Sequence, residues 1–165
     1  MKIFFSSLLL ILFITFSAKS EIVKKIEVNG NQRVSSETIK IFSEVKLDSD
    51  LNLNDLNDVI KKIYSTNFFK NVKINLIDNI LIIDVEENPI IQTLKFDGVK
   101  NKRILEVLND QIKMREKSSF VENFVKNDEK KIINILRTNG YYFSKVNSKL
   151  KRNDNNTIDL IFDIE

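Results

Sequence analysis

The order of secondary-structure signals repeats once along the chain, and this repeat constrains the fold more than any other feature. Three pairs of short segments mark the same places in the two copies: Val28-Asn29-Gly30 with Phe96-Asp97-Gly98, Thr66-Asn67 with Thr138-Asn139, and Asp84-Val85-Glu86 with Asp163-Ile164-Glu165. A repeated pattern encodes a repeated supersecondary unit. We therefore expect two copies of one small unit, each with the order strand, helix, helix, strand, strand.

The strands of the first copy are predicted from alternating apolar and polar residues. Residues 22–28 and 71–77 show the alternation of half-buried strands, and Asp78-Asn79 between the second and third strands is a turn signal. Ile80 to Val85 is more densely apolar, which is expected of a strand in the middle of a sheet. This arrangement leaves the second strand, Asn71–Ile77, at an edge.

Two helices are predicted between the first and second strands of this copy. Ser35 or Ser36 is the expected cap of the first helix, and Asn54 or Asp55 that of the second, after a polar loop at residues 48–52. The predicted core face of the second helix is an apolar stripe at three- and four-residue spacing: Leu53, Leu56, Ile60 and Ile63.

The second copy gives the same order of elements. Its predicted strands are residues 90–96, 143–151 and 157–165, and its predicted helices are 102–108 and 120–136, the latter with a possible later start at Asn127 or Asp128. Ile158, Leu160, Phe162 and Ile164 are expected to share one face of the last strand. By equivalence with the first copy, residues 143–151 form an edge strand.

Three local features carry narrower expectations. Gly30 and Gly98 are predicted to be turn residues with a permissive backbone. Arg33 is predicted to bind its own loop rather than a partner. The aromatic corners at Phe68-Phe69 and Tyr141-Tyr142 are predicted to be buried between helix and sheet.

The first 20 residues have the features of an export signal. Lys2 supplies a positive charge, an apolar stretch follows from Ile3 to Phe16, and Ala18-Lys19-Ser20 places small residues where a signal peptidase reads them. The apolar stretch is shorter than the roughly 20 residues of a membrane-spanning helix. We therefore predict cleavage after Ser20; a retained membrane anchor is the alternative.

The composition disfavours several classes of function. Without Lys2 and Lys19, 24 basic side chains face 23 acidic ones, and a net charge of +1 gives no electrostatic case for nucleic-acid binding. The sequence contains neither cysteine nor histidine, so it has no disulfides and lacks the commonest general base and metal ligand. We predict no enzyme activity, no cofactor and no metal site.

Several short motifs resemble, in order and spacing, the POTRA domains of BamA-type outer-membrane assembly factors. Residues 28–34, with the sequence VNGNQRV, resemble the opening of the first such domain, and Asn67-Phe68-Phe69 resembles its corner after the second helix. Residues 85–90 resemble the passage into the second domain. Phe96-Asp97-Gly98 and Gly140-Tyr141-Tyr142 resemble the turn and the corner of that domain.

The resemblance implies an α+β chain with a signal peptide at residues 1–20 and two tandem POTRA domains at residues 22–88 and 90–165. Each would be β-α-α-β-β, with a three-stranded mixed sheet covered by two helices. Related proteins continue through further POTRA domains into a membrane barrel. Because this sequence has no barrel strands, we expect that it does not insert proteins into a membrane by itself.

The resemblance also implies a function in the periplasm, in association with the outer membrane. The chain would be part of the periplasmic arm that binds and guides unfolded outer-membrane proteins. Other expected partners are periplasmic chaperones, assembly lipoproteins and, through the barrel of full-length relatives, the outer membrane.

Strand edges are the predicted binding sites, because an edge strand offers unpaired N–H and C=O groups to an extended peptide. On the first edge the predicted residues are Asn71, Val72, Lys73, Ile74, Asn75 and Leu76. On the second edge they are Lys145, Val146, Asn147, Ser148, Lys149 and Leu150. The lysines equally suit an edge protected against pairing; the resemblance favours binding.

Two alternative functions are compatible with the same fold. One is the periplasmic part of a two-partner secretion transporter, although the Pro-rich or plug-helix N-terminus of that class is absent. The other is a cell-division scaffold with a POTRA-like domain, which requires that the N-terminal anchor is not cleaved.

Overall fold

The computed structural model describes residues 21–165, and the predicted signal peptide lies outside the described residues. The strands are β1 (Glu21–Ile22), β2 (Lys25–Asn29), β3 (Asp50–Leu51), β4 (Phe69–Ile77), β5 (Ile80–Glu87), β6 (Ile90–Asp97), β7 (Val146–Asn153) and β8 (Thr157–Ile164). The helices are α1 (Ser36–Ser43), α2 (Leu53–Ser65), α3 (Lys102–Gln111) and α4 (Glu122–Thr138). Within these residues, no helix is long and apolar enough to cross a membrane.

The first three-stranded sheet has the order β2–β5–β4, so the third long strand lies in the middle as predicted. β5 pairs parallel with β2 and antiparallel with β4. Leu81, Ile83 and Val85 of β5 are buried in one core together with Ile39 and Ile63 of the helices. Asp78 and Asn79 join β4 to β5 with φ of 50° and 65°, the conformation that a two-residue type I′ turn requires.

The second sheet repeats this arrangement with the order β6–β8–β7. β8 pairs parallel with β6 and antiparallel with β7. The four residues predicted to share a face of the last strand are all buried: Ile158, Leu160, Phe162 and Ile164. The predicted α+β class, with tandem β-α-α-β-β units and three-stranded mixed sheets, is confirmed.

Each sheet has its own hydrophobic core beneath its two helices. Ile39 of α1 and Ile63 of α2 are fully buried in the first core. Leu108 of α3 and Ile132 of α4 are fully buried in the second. The two cores are separate clusters, so each unit buries its apolar surface by itself.

The start of α2 differs from the prediction. Its cap is Asn52, whose side chain accepts N–H groups of Asn54 and Asp55, while the Asp55 carboxylate accepts the N–H of Asn52. This reciprocal pair is a capping box, which fixes the first turn two residues earlier than expected. Leu53 consequently lies outside the apolar stripe and is 77% exposed, and Val59 lies in the core instead. The segment predicted to be a loop also contains β3, which pairs with β1.

Helix α4 has the longer of the two predicted forms, since it begins at Glu122. Asp128, considered above as a cap, lies in the helix interior and is buried. Its two carboxylate oxygens accept the backbone N–H groups of Lys113 and Met114, each at 2.8 Å. The buried aspartate therefore holds the loop between α3 and α4 against the helix.

The aromatic corners differ between the units. In the first, Phe69 is buried and Phe68 is 38% exposed. In the second, Tyr142 and Phe143 are 68% and 95% exposed, so the predicted burial is wrong there, and β7 begins at Val146 rather than at Phe143. This corner is two residues longer than the first, and the chain uses the extra length as an outward turn.

Gly30 and Gly98 occupy equivalent and equally crowded positions. Their φ angles are +81° and +91°, and an added Cβ would lie 2.2 Å from the carbonyl oxygen of Val85 or 1.8 Å from that of Ile164. Any side chain there would collide with the middle strand of its own sheet. The predicted turn role therefore has a second cause, the close approach of two backbones.

Candidate functional site

The outer edges of β4 and β7 are the candidate site, and the position of each predicted residue follows from the pairing. Lys145 and Glu165 exchange two backbone hydrogen bonds, at 2.8 and 3.0 Å. In an antiparallel pair, alternate residues direct N–H and C=O toward the partner and away from it. Val146, Ser148, Leu150 and Arg152 therefore direct these groups away from β8, toward the outer edge.

The same alternation holds along β4. The N–H of Val72 bonds the hydroxyl of Tyr64, which lies on α2 and not in the sheet. Because the register with β5 is regular from Asn71 onward, Val72, Ile74 and Leu76 direct their N–H and C=O groups outward. The outer edge of β4 thus carries a short row of outward N–H and C=O groups.

Six of the twelve predicted residues direct their backbone groups outward, where an added strand would pair, and six do not. The outward residues are Val72, Ile74, Leu76, Val146, Ser148 and Leu150. The other six direct their backbone groups toward the neighbouring strand: Asn71, Lys73, Asn75, Lys145, Asn147 and Lys149. Sequence patterns locate an edge strand but do not determine which alternate residues face outward, since this depends on the register.

The lysines of the inward set lie on the solvent-exposed side of the sheets. Lys149 forms an ion pair with Asp163 of the neighbouring β8 at 2.6 Å. The hydrogen bond and the negative charge of Asp163 raise the pKa of Lys149 above its usual value. Its charge is thus directed along the sheet surface and not across the edge.

One side chain from a helix blocks part of each edge. The hydroxyl of Tyr64 accepts the Val72 N–H at 3.2 Å and lies 3.4 Å from the carbonyl oxygen of Lys70. The carboxylate of Glu129, on α4, accepts the Ser148 N–H at 2.8 Å. Sequence reasoning missed both residues, because each was counted only as part of a helix.

A cleft between the two units adjoins the outer edge of β7. Its volume is about 400 Å³, and its walls include Tyr64 and Phe69 from the first unit and Phe120, Leu150 and Arg152 from the second. Tyr64 marks the start of the free edge of β4, and Leu150 and Arg152 belong to the outward row of β7. The cleft therefore adjoins outward residues of β7 and the blocked end of β4, whereas Val72, Ile74 and Leu76 do not line it.

The junction beside the cleft is fixed by a buried carboxylate. Glu87 accepts the N–H groups of residues 32–34 at 2.8, 2.9 and 3.0 Å and pairs with the Nε of Arg33 at 3.0 Å. Arg33 also donates to the carbonyl oxygen of Asn88 at 2.8 Å. Burial alone would raise the pKa of Glu87, but these N–H groups and the guanidinium outweigh it and hold the pKa below its usual value. Arg33 thus binds its own loop and ties it to the junction.

No group of three or more His, Cys, Asp or Glu side chains within residues 21–165 is arranged to hold a metal ion. Glu86 and Glu87 lie on opposite sides of β5, since Glu86 is exposed and pairs with Lys70 while Glu87 is buried. Adjacent strand residues alternate in this way, so the two carboxylates cannot act together on one substrate.

Comparison with known proteins identifies relatives of this chain. Residues 89–165 match the POTRA family, described as "Surface antigen variable number repeat". The chain is 28% identical over 112 residues to the outer membrane protein assembly factor BamA of Neorickettsia risticii, and 32% identical over 78 residues to that of Neisseria meningitidis serogroup B. These alignments cover 68% and 47% of the chain, but only 15% and 10% of the two relatives.

Solved structures show the same fold. The N-terminal domain of Omp85 from Thermosynechococcus elongatus superposes with a TM-score of 0.60 at 14% identity, covering 90% of this chain and 63% of that one. POTRA domains 3–5 of Haemophilus influenzae BamA give 0.54 at 18% identity, covering 93% and 69%. Omp85 POTRA domains 1–2 from Anabaena give 0.55 at 14% identity, covering 90% and 96%. Residues 89–165 therefore match the POTRA family, and the described residues as a whole have the fold of tandem POTRA domains.

Proposed function

We propose that this chain is part of the periplasmic arm of an outer-membrane protein assembly machine, with domains at residues 22–88 and 90–165. In this role it binds extended segments of unfolded outer-membrane proteins as added strands on β4 and β7. The observation that carries the proposal is the outward row of backbone N–H and C=O groups on the edge strand of both sheets.

The chemistry of such an edge suits a diverse set of clients. Ladder hydrogen bonds are made by the backbone, so they select for an extended conformation more than for particular side chains. Unfolded β-barrel proteins share that conformation and little else. The name of the two BamA relatives, outer membrane protein assembly factor, supports this class of client.

Location and accessory partners form part of the same proposal. The predicted signal peptide would bring the chain to the periplasm, where it would act beside the outer membrane. Periplasmic chaperones would deliver clients, and assembly lipoproteins would bind elsewhere on the domains. The chain would act by binding and guiding, without catalysis.

An amide NMR titration with peptides copied from outer-membrane β-strands tests the proposal. We expect shifts concentrated at Ile74, Leu76, Leu150 and Arg152, whose N–H groups face outward. Replacing Leu150, which is 48% exposed, by proline removes one outward donor and leaves the ladder with β8 intact. Leu150→Pro should weaken binding at β7 by about tenfold, as expected for the loss of one hydrogen bond at an edge.

The matched control is Leu150→Ala, which retains the N–H and loses only the side chain. Equal losses in Leu150→Pro and Leu150→Ala would show that side chains and not backbone groups bind the peptide. The absence of any shift at millimolar peptide would overturn strand addition for these domains.

A further inference from the structure

We propose that Tyr64 and Glu129 are blocking residues that determine which part of each edge is available to a client strand. This inference rests on the proposed function, since it concerns the same two edges. Each side chain accepts an outward N–H that a client would otherwise bind. The two differ in where along the strand they do so.

Tyr64 blocks one end of the β4 edge. Its hydroxyl accepts the N–H of Val72, the first outward residue after the irregularity in register between Phe69 and Asn71. The hydroxyl can also donate to the carbonyl oxygen of Lys70 or to the side chain of Asn71, both at 3.4 Å. Ile74 and Leu76 remain as consecutive outward residues, so a client can pair with the rest of the strand without moving Tyr64.

Glu129 blocks the middle of the β7 edge. The bonded N–H belongs to Ser148, which lies between the outward residues Val146 and Leu150. A client strand running the length of β7 would have to displace the carboxylate. With Glu129 in place, only Leu150 and Arg152 remain as neighbouring outward residues, and both face the cleft between the units.

The two blocking residues are not conserved between the units: the equivalent position in the other unit holds a different residue type in each case. When Thr66-Asn67 is aligned with Thr138-Asn139, Leu136 occupies the position of Tyr64 and Asn57 that of Glu129. Leu136 is buried in the second core, and Asn57 is exposed. Neither unit therefore repeats the block of the other, and each limits its edge in its own way.

The blocks make the two edges unequal. The β4 edge is open to pairing beyond Val72, whereas full pairing along β7 requires the release of a charged hydrogen bond. Because such a bond is stronger than a neutral one, removing Glu129 should raise client affinity at β7 by about tenfold. Removing the Tyr64 hydroxyl should extend pairing on β4 by one residue and change its affinity by only about twofold to threefold.

The test combines amide hydrogen exchange without peptide and titration with a β-strand peptide, both resolved by residue. The variants are Glu129→Ala, Glu129→Gln, which retains an acceptor oxygen, and Tyr64→Phe, which retains the ring. The controls are Glu122→Ala on the same helix and Tyr142→Phe in the exposed corner. The protein without peptide should show faster exchange at Ser148 in Glu129→Ala and at Val72 in Tyr64→Phe, and neither change in the controls.

The titration then decides the role of the blocks. Tighter binding with shifts spreading to Val146 and Ser148 in Glu129→Ala, and an intermediate effect in Glu129→Gln, would support the inference. Faster exchange at Ser148 with unchanged peptide affinity at β7 would overturn it, while binding at β4 would leave the proposed function standing. If no form of the protein binds the peptide, the proposed function fails, and the blocking role fails with it.

Discussion

The two units share one backbone plan but fix their loops with buried carboxylates in different places. In the first unit, Glu87 at the end of β5 accepts three backbone N–H groups from residues 32–34, the loop after β2. In the second, Asp128 within α4 accepts two, from Lys113 and Met114. Both side chains are almost completely buried.

The two units thus share their backbone frame but not the polar contacts of their loops. The backbone frame recurs in both units: strand order, helix order and the crowded glycines Gly30 and Gly98. The polar contacts that close the loops are particular to each unit. We therefore expect each buried carboxylate to stabilise its own unit more than the other.

Glu87→Ala should give the largest loss of stability. It leaves three N–H groups without their acceptor and the guanidinium of Arg33 without its carboxylate, so we expect a loss of about 4 kcal/mol in the free energy of unfolding. Urea denaturation measures the loss. The control is Glu86→Ala at the adjacent exposed position, expected to cost below about 1 kcal/mol. Equal losses in the two variants would show that the buried contacts of Glu87 do not stabilise the protein more than an exposed ion pair does.

Asp128→Ala should give the next largest loss, about 3 kcal/mol, since two buried N–H groups lose a charged acceptor. Amide exchange should then accelerate in α3, α4 and the second sheet while the first sheet keeps its protection. The control is the exposed Asp110→Ala. Equal acceleration of amide exchange in both sheets would contradict a separate role for each carboxylate, because it would mean that the two cores unfold together.

The smallest effect is a pH dependence specific to the first unit. Folding holds the pKa of Glu87 below its ordinary value of 4.5, so its ionised form stabilises the folded state. This stabilisation is complete above about pH 4.5 and is lost as the pH falls through the lowered pKa. The difference in unfolding free energy between the natural protein and Glu87→Gln should therefore shrink on acidification; a constant difference would contradict the assignment.

The sequence predicted the strands and their order because alternation and turn residues are local signals. Dense apolar residues placed β5 in the middle, and Asp78-Asn79 marked its turn. The cap of α2 was predicted wrongly because Asn52, Asn54 and Asp55 are equally suitable residue types, and only the capping box selects Asn52. The start of β7 was predicted too early because aromatic residues favour strands, although Tyr142 and Phe143 lie in a turn.

The blocked edges had no such local signal. Tyr64 meets Val72 eight residues along the chain, and Glu129 meets Ser148 nineteen residues along. Both contacts depend on how far a helix lies from the edge of its sheet, which apolar periodicity does not determine. Buried Asp128 was missed for a similar reason, since its partners are backbone groups in a separate loop.

Under the proposed function, the short connection between the units has a consequence for clients long enough to reach both edges. Only Asn88 and Pro89 separate β5 from β6, and each is bonded to the unit beside it: the Asn88 N–H to the Phe68 carbonyl oxygen, and the Pro89 carbonyl oxygen to the Phe120 N–H, both at 2.8 Å. A client paired with one edge would be presented to the other at high effective concentration. Two weak pairings would then combine as avidity, and a client would leave only when both had opened together.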